Sequence, residues 1–355
     1  MESMDVNNKF WTNRSVLITG HTGFKGGWLA FWLSELGAKV HGYALEPPTT
    51  PNFYTEIQLV QRLASSVIGD IRNLENLTKA LQQAEPEIVF HMAAQPLVRK
   101  SYNSPVETFE TNVLGTVNLL EAARQTDSVK SIVNITTDKC YENKEWLWPY
   151  RESDRLGGHD PYSASKACSE IVTEAYRKSF LAESGIHLAS ARAGNVIGGG
   201  DWAADRLIPD FLRALDGGEV LKIRAPHSIR PWQHVLEPLW GYLLLAEKLF
   251  QYGEAYAGAW NFGPNDDDAK SVGWIVEQLC ALVPNAKWTA ENTWQPHEAG
   301  LLKLDSSKAK SQLGWTPCWN LETALLKTVQ WHQAWREREK IAATTRAQIE
   351  FYLEL

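Results

Sequence analysis

The stretch Ser15-Val16-Leu17-Ile18-Thr19-Gly20, followed by His21-Thr22-Gly23-Phe24-Lys25-Gly26-Gly27, leaves this chain few folds to choose from. An apolar, β-branched run that stops on glycine reads as a strand buried on both faces. The glycines after it suit a tight turn, a close backbone approach to a pyrophosphate and a helix packed hard against the sheet. Unpaired N–H groups and the helix dipole at that N-terminus favour an anion. The helix continues through Trp28-Leu29-Ala30-Phe31-Trp32-Leu33 and is expected to end at Gly37. Strand, glycine turn and helix in this order predict a dinucleotide site built from Gly20, Thr22, Gly23, Phe24, Lys25 and Gly26.

The second strand, Lys39 to Leu45, leads to Glu46, about twenty residues past the last fingerprint glycine, where an acid meets the adenosine ribose hydroxyls. Glu46 reads equally well as a solvated loop acid before Pro47-Pro48. No Lys or Arg lies between Lys39 and Arg62 to meet the extra phosphate of NADP, so the pattern favours NAD. At the end of a third strand, Asp70 and Ile71 stand where the adenine edge is held, and Asp70 can equally cap the helix beginning near Asn73. The fourth strand, Glu87 to Met92, passes into Ala93-Ala94-Gln95, small enough for the backbone to approach cofactor phosphates or ribose. A helix from about Pro105 to Gln125 adds Asn112 to the cofactor set. The fifth strand, Ser131 to Thr137, delivers Thr137, Asp138 and Lys139 at its carboxyl end, where ligands bind in such sheets.

This alternation predicts an α/β fold: a Rossmann-type doubly wound parallel sheet with a smaller, discontinuous, mixed α/β C-terminal lobe. The expected division gives residues 1–195 and 233–264 to the NAD-binding domain and 196–232 and 265–355 to the substrate lobe. In that lobe Val220 to Ile223 reads as a short strand, Ser306 to Gly314 as a short helix ending on glycine, and Leu321 to Tyr352 as mainly helical.

Tyr162 and Lys166 stand four residues apart in Tyr162-Ser163-Ala164-Ser165-Lys166, on one helical face. A free tyrosine, with a pKa of about 10, holds its proton too tightly to accept one from a sugar hydroxyl near neutral pH. The Lys166 ammonium is expected to lie near the phenol and stabilise its phenolate. The spacing alone is common, but following the glycine fingerprint it predicts a nicotinamide enzyme whose proton carrier is Tyr162.

Composition sets outer limits. A net charge of −7 argues against nucleic acid or an anionic membrane as partner. Cys140, Cys168, Cys280 and Cys318 are too scattered for a disulfide frame or a metal site, and reduced thiols suit the cytoplasm. No apolar run is long enough to span a bilayer, and Met1 to Lys9 lacks a signal-peptide core. Sixteen tryptophans are many for this length, and packing is the expected role of most, including Trp202 and the Trp331/Trp335 pair.

Together these residues resemble the extended short-chain dehydrogenases/reductases and, within them, the nucleotide-sugar 4,6-dehydratases. The resemblance runs through Thr19 to Gly26, His91 to Gln95, Thr136 to Lys139, Tyr162 to Lys166 and Arg192 to Gly198. Gly199 to Asp210, Arg230 to Val235 and His297-Glu298-Ala299 point more specifically to the branch acting on CDP-glucose.

The resemblance implies that hydride leaves C4 of CDP-D-glucose for bound NAD, water is lost across C5 and C6, and hydride returns to C6, giving CDP-4-keto-6-deoxy-D-glucose. It puts Thr137 on the 4-hydroxyl and makes Asp138 the acid for the 6-hydroxyl, the plain alternative for Asp138 being a turn cap. Where related enzymes carry glutamate after that aspartate, this chain has Lys139, expected either to take the C5 proton or to stabilise the enolate. Arg230 is the candidate for the diphosphate, with Asn195 and Arg206 assisting; His297 and Glu298 are placed at the ribose or the diphosphate, or read as surface loop, while Arg192 reads as a structural ion-pair residue. The resemblance further implies a homodimer formed by helices around 105–125 and 162–180, or a tetramer, and a place in dideoxyhexose synthesis for lipopolysaccharide O-antigen.

Two other readings share the fold. A nucleotide-sugar C4 epimerase or simple sugar dehydrogenase would use Tyr162 and Lys166 without elimination. A dinucleotide-sensing protein would keep the glycines without needing either residue.

Overall fold

β1 is buried from Val16 on, and alternate residues face different cores, which shows how the sheet is covered. Val16 and Ile18 enter one hydrophobic core and Leu17, between them, enters another. The computed structural model describes residues 8–284, 286–291 and 300–354. Its main sheet contains β1 (Ser15–Thr19), β2 (Lys39–Ala44), β3 (Ser65–Ile68), β4 (Ile88–His91), β5 (Ser131–Ile135), β6 (His187–Ala193) and β7 (Gly258–Phe262). They lie in the order β7-β6-β5-β4-β1-β2-β3, every neighbouring pair parallel. The order reverses between β1 and β4, so their carboxyl ends border the crevice where such sheets bind ligands.

Helices cover both faces. α1 (Phe24–Glu35) buries Trp28, Leu29, Phe31, Trp32 and Leu33 in the first core. It stops before Gly37, whose φ of 80° a side chain would resist. α2 (Leu74–Ala84) is capped by Asn73, whose side chain accepts from the Asn76 amide, so Asp70 is not its cap. The helix expected from Pro105 to Gln125 is interrupted. Pro105–Phe109 passes into a wider turn, Glu110–Leu114, before α3 (Gly115–Arg124), and Asn112 lies in that turn. α4 (Pro161–Tyr176) starts on Asp160 and Pro161, a capping side chain and a ring suited to a helix's first position. α5 (Leu236–Tyr252) leads into β7.

A further core gathers Ile197, Ile208, Phe211, Leu221, Trp232, Ile275, Leu325 and Val329 from separate parts of the chain. Three two-stranded sheets frame it, including the expected short strand, Leu221–Ile223, paired with Trp288–Ala290. The stretch from Leu321 breaks into two helices, Leu321–Arg336 and Ile341–Leu353, with Arg338 at φ 58° between them. The charged run 336–340 has no apolar residue to hold against a core. Ile341, Ile349 and Tyr352 join the sheet's first core, and so does Trp331. Trp202 packs edge-on against Trp331 and Trp335, with centroids 5.7 and 5.2 Å away.

Candidate active site

The glycine turn is closed so tightly that side chains are sterically excluded. Gly20 has φ 81°, and a Cβ there would stand 2.8 Å from the Ala93 amide nitrogen. A Cβ on Gly26 would stand 2.1 Å from the Gly20 carbonyl oxygen. Thr19 pins the two strand ends: its Oγ1 meets His91 Nδ1 at 2.8 Å and accepts from the Met92 and Ala93 amides at 3.1 and 3.2 Å. Thr22 donates to the Leu45 carbonyl at 2.8 Å, fixing the turn to the end of β2. α1 begins at Gly23 without a side-chain cap, so its first N–H groups remain for an anion. Glu46 is exposed just past β2.

These features fit a dinucleotide, with the pyrophosphate at Gly23–Lys25 and an acid at the ribose. Asp70 is tied to Arg72, by a 2.6 Å ion pair and by the Arg72 amide at 2.9 Å. Ile71 is buried, and Gly115 leaves room for it: a Cβ there would lie 2.5 Å from Ile71 Cδ1. Asn112 accepts from the Gln95 amide at 2.8 Å and donates to the Gln95 carbonyl at 3.1 Å and to Ser165 Oγ at 2.8 Å. It therefore braces the Ala93-Ala94-Gln95 loop against α4.

The first turn of α4 carries Tyr162. Asp160 accepts from the Ser163 amide and hydroxyl at 2.9 and 2.6 Å, and the Tyr162 amide donates to Ser101 Oγ at 3.1 Å. Burial pushes the phenol up to about 12, against the pull of the Thr137 hydroxyl and the Arg206 charge. Lys166 takes a different partner from the expected phenol: its Nζ donates to the Ile135 carbonyl at 3.1 Å. Burial pushes that ammonium down to about 8, with Glu170 opposing.

Beyond β5, Thr137 donates to Asp138 Oδ1 at 2.9 Å and accepts from the Lys139 amide at 3.3 Å. Thr137, rather than Asp138, thus caps the short turn Asp138–Cys140. Asp138 is 2 % exposed, and its Oδ2 has no hydrogen-bond partner. Burial raises its pKa while Lys139, Thr137 and Arg230 draw it back. The carboxyl also needs glycine opposite it, because a Cβ on Gly194 would lie 2.7 Å from that Oδ2 and 2.5 Å from Pro231.

Cations surround this carboxyl. Lys139 is half-buried beside it. Buried Arg230 donates to the Ile229 and Gly300 carbonyls at 3.0 and 3.3 Å and is felt by Asp138. Arg206 pairs with buried Asp201 at 2.9 Å. Lys25 Nζ approaches Tyr242 Oη at 3.5 Å, and burial followed by the charges of Lys166 and Arg206 pushes it down to about 7. Asn195 follows β6, its carbonyl accepting from the Gln233 amide at 3.1 Å. His297 and Glu298 lie outside the described residues. Arg192 is in the expected structural pair, 2.7 Å from Glu170.

Sequence reasoning passed over Gly194, Asp201 and Tyr242. Asp201, five residues before Arg206, carried a usable charge signal, whereas Tyr242 looked like one more apolar residue of α5.

The chain's relatives sharpen what such a cluster does. The family model described as GDP-mannose 4,6 dehydratase matches residues 17–328. A CDP-glucose 4,6-dehydratase of Salmonella typhimurium is 52% identical, over 98% of this chain and 98% of its own. A dTDP-glucose 4,6-dehydratase of Xanthomonas campestris pv. campestris is 26% identical, over 90% of this chain and 94% of its own. The solved structure of MoeE5 with UDP-glucose and NAD superposes with a TM-score of 0.76 at 25% identity, covering 91% of this chain and 99% of that one. A dTDP-glucose 4,6-dehydratase of Bacillus anthracis with NAD shares the fold at a TM-score of 0.75 and 22% identity, covering 93% and 99%.

Proposed function

The chain belongs to the GDP-mannose 4,6-dehydratase family, and from that premise we infer that it converts CDP-D-glucose to CDP-4-keto-6-deoxy-D-glucose and water, using NAD with no net redox change. NAD would be held at Gly20, Thr22, Gly23, Phe24, Lys25, Gly26 and Glu46, where it would supply the hydride acceptor for C4 and the hydride donor for C6. Tyr162 takes the 4-hydroxyl proton as a phenolate, which the Arg206 and Lys166 charges favour against its burial, and Thr137, which meets both the phenol and Asp138, orients that hydroxyl. The carbonyl formed at C4 makes the C5 hydrogen acidic, and Lys139 either removes it as a proton or stabilises the enolate while another group removes it. Asp138 protonates the departing 6-hydroxyl, so the C6–O bond breaks to water as the C5–C6 double bond forms. The C5 proton is returned as C6 is reduced, and the proton Tyr162 took from the 4-hydroxyl passes by way of Thr137 to Asp138, which resets both groups. Arg230, with Arg206 and Asn195, binds the diphosphate, and His297 the ribose or the diphosphate.

The observation that carries elimination over epimerisation is the buried carboxyl of Asp138 with its unpartnered Oδ2. A C4 epimerase needs the tyrosine but no buried acid for a 6-hydroxyl. Incubating the protein with NAD and CDP-D-glucose tests the reading. The expected outcome is a base-labile 4-keto-6-deoxy product with the nicotinamide returned to its oxidised form. A C4 epimer, or one reduced cofactor per sugar, contradicts it.

The same reading gives residues 1–195 and 233–264 to cofactor binding and 196–232 and 265–355 to the sugar nucleotide, the last helix resting on the sheet's first core. It makes the enzyme a homodimer. Val106, Leu114 and Ile171 are 69 %, 55 % and 58 % exposed on the helices expected to pair, more apolar surface than a lone subunit needs there. No helix among the described residues is long and apolar enough to cross a membrane. A cytoplasmic enzyme feeding dideoxyhexose synthesis for surface polysaccharide completes the reading.

A further inference from the structure

The helical face that presents Tyr162 and Lys166 carries a third residue one turn on, Glu170, which is 4 % exposed. One carboxylate oxygen takes the hydroxyl of Thr136, and the other takes Ser190 Oγ and Arg192 Nη2, each at 2.7 Å. Thr136 lies between Ile135, whose carbonyl receives Lys166 Nζ, and Thr137. Arg192 continues to Tyr141 Oη at 2.8 Å and to the Glu152 carbonyl at 3.2 Å. Glu170 therefore joins α4 to the strand end from which Thr137 and Asp138 project.

We propose that Glu170 is a positioning residue: its carboxylate, anchored by Arg192, Thr136 and Ser190, keeps the Lys166 ammonium charged and fixed to the strand end, one helical turn behind Tyr162. The proposal rests on the reading above, because a charged Lys166 matters only if Tyr162 carries protons. The groups that act on Lys166 or feel it come from several elements: Glu170 on α4, Cys140 after β5, Lys25 on α1 and His91 on β4. Burial pushes the Cys140 thiol far up and so leaves it neutral, and burial pushes His91 down to about 3. Lys25 adds only positive charge. Glu170 thus supplies the anion that offsets the burial of Lys166.

The test follows the holoenzyme with NAD and CDP-D-glucose across pH. In Glu170→Gln the alkaline limb of kcat/KM moves to lower pH by about one unit, while KM for the sugar nucleotide changes less than about twofold. Glu170→Asp, which keeps the charge, restores the limb. The double variant Glu170→Gln with Arg192→Met removes both buried charges. It recovers thermal stability relative to Glu170→Gln alone but leaves the limb displaced, whereas a merely structural pair would bring limb and stability back together. Lys166 is also followed directly in ¹⁵N-lysine-labelled protein, its signal assigned by its loss in Lys166→Met. The Nζ titration midpoint falls by about one pH unit in Glu170→Gln or, should that variant not fold, in the double variant. That readout stands even if CDP-D-glucose is not turned over, a result that would sink the function alone. A midpoint and an alkaline limb both unchanged would overturn the role of Glu170.

Discussion

Asp138 and Glu170 are carboxyls sealed from solvent near the same helix, yet burial has opposite outcomes for them. Asp138 has one oxygen without a partner, and the cations around it only partly offset the loss of water, so its pKa is raised. Glu170 suffers the same burial, but the Arg192 charge and the bonds from Arg192, Thr136 and Ser190 outweigh it and hold its pKa below the ordinary carboxylate range. The difference teaches that burial alone does not decide protonation; a dedicated cation with matched donors does. Glu237 confirms the rule from another part of the molecule. It accepts from the Trp319 and Cys318 amides at 2.7 and 3.0 Å and from Tyr352 Oη at 2.9 Å, all neutral donors, and burial still pushes it up to about 7.

The largest expected effect breaks the contrast on the Asp138 side. Asp138→Asn should lower turnover of CDP-D-glucose roughly 10³-fold while leaving the melting temperature near that of the unaltered protein, because no ion pair is lost. Lys139→Met, beside it, should abolish deuterium incorporation from solvent at C5; unchanged exchange and turnover would remove Lys139 from the chemistry.

On the other side, Glu170→Leu should cost about 3–5 kcal/mol of folding stability, read from urea unfolding, because Arg192 is left buried and unpaired. A loss below about 1 kcal/mol would mean that the pair is not what holds Glu170 ionised.

The smallest effect concerns Glu237. Its folded pKa is raised from 4.5 to about 7. The folded chain therefore keeps that proton longer, and the associated stability is full below about 4.5 and lost as pH rises through about 7. The loss amounts to about 3 kcal/mol. Thermal unfolding against pH should show this decline, and Glu237→Gln should flatten it; an unaltered slope would show that another group titrates there.

The frame of the molecule was legible because it follows from local chemistry. Apolar β-branched runs ending at glycine gave the strand ends, and the crowding of Gly26 against Gly20 is the close turn that spacing implied. Thr137, Asp138 and Tyr162 were traceable for the same reason, standing at a strand end and in a helix's first turn. The break at Arg338 was hidden because no Gly or Pro marks it. The wide turn at Asn112 was hidden too, since its side chain answers to Gln95 and Ser165, partners distant in sequence. Lys166 was read from its spacing to Tyr162, but its acceptor, the Ile135 carbonyl, is a backbone group that no side-chain pattern records. The weight of Glu170 depended on Arg192, 22 residues away on another element.

The most direct measurement of the central claim, that the buried carboxyl of Asp138 is the acid of elimination, compares two leaving groups in Asp138→Asn. Hydroxide needs a proton to depart from C6, whereas fluoride does not. The account predicts that the variant turns over CDP-6-deoxy-6-fluoro-D-glucose within about tenfold of the unaltered enzyme while remaining roughly 10³-fold impaired on CDP-D-glucose. Equal impairment on both substrates would contradict it.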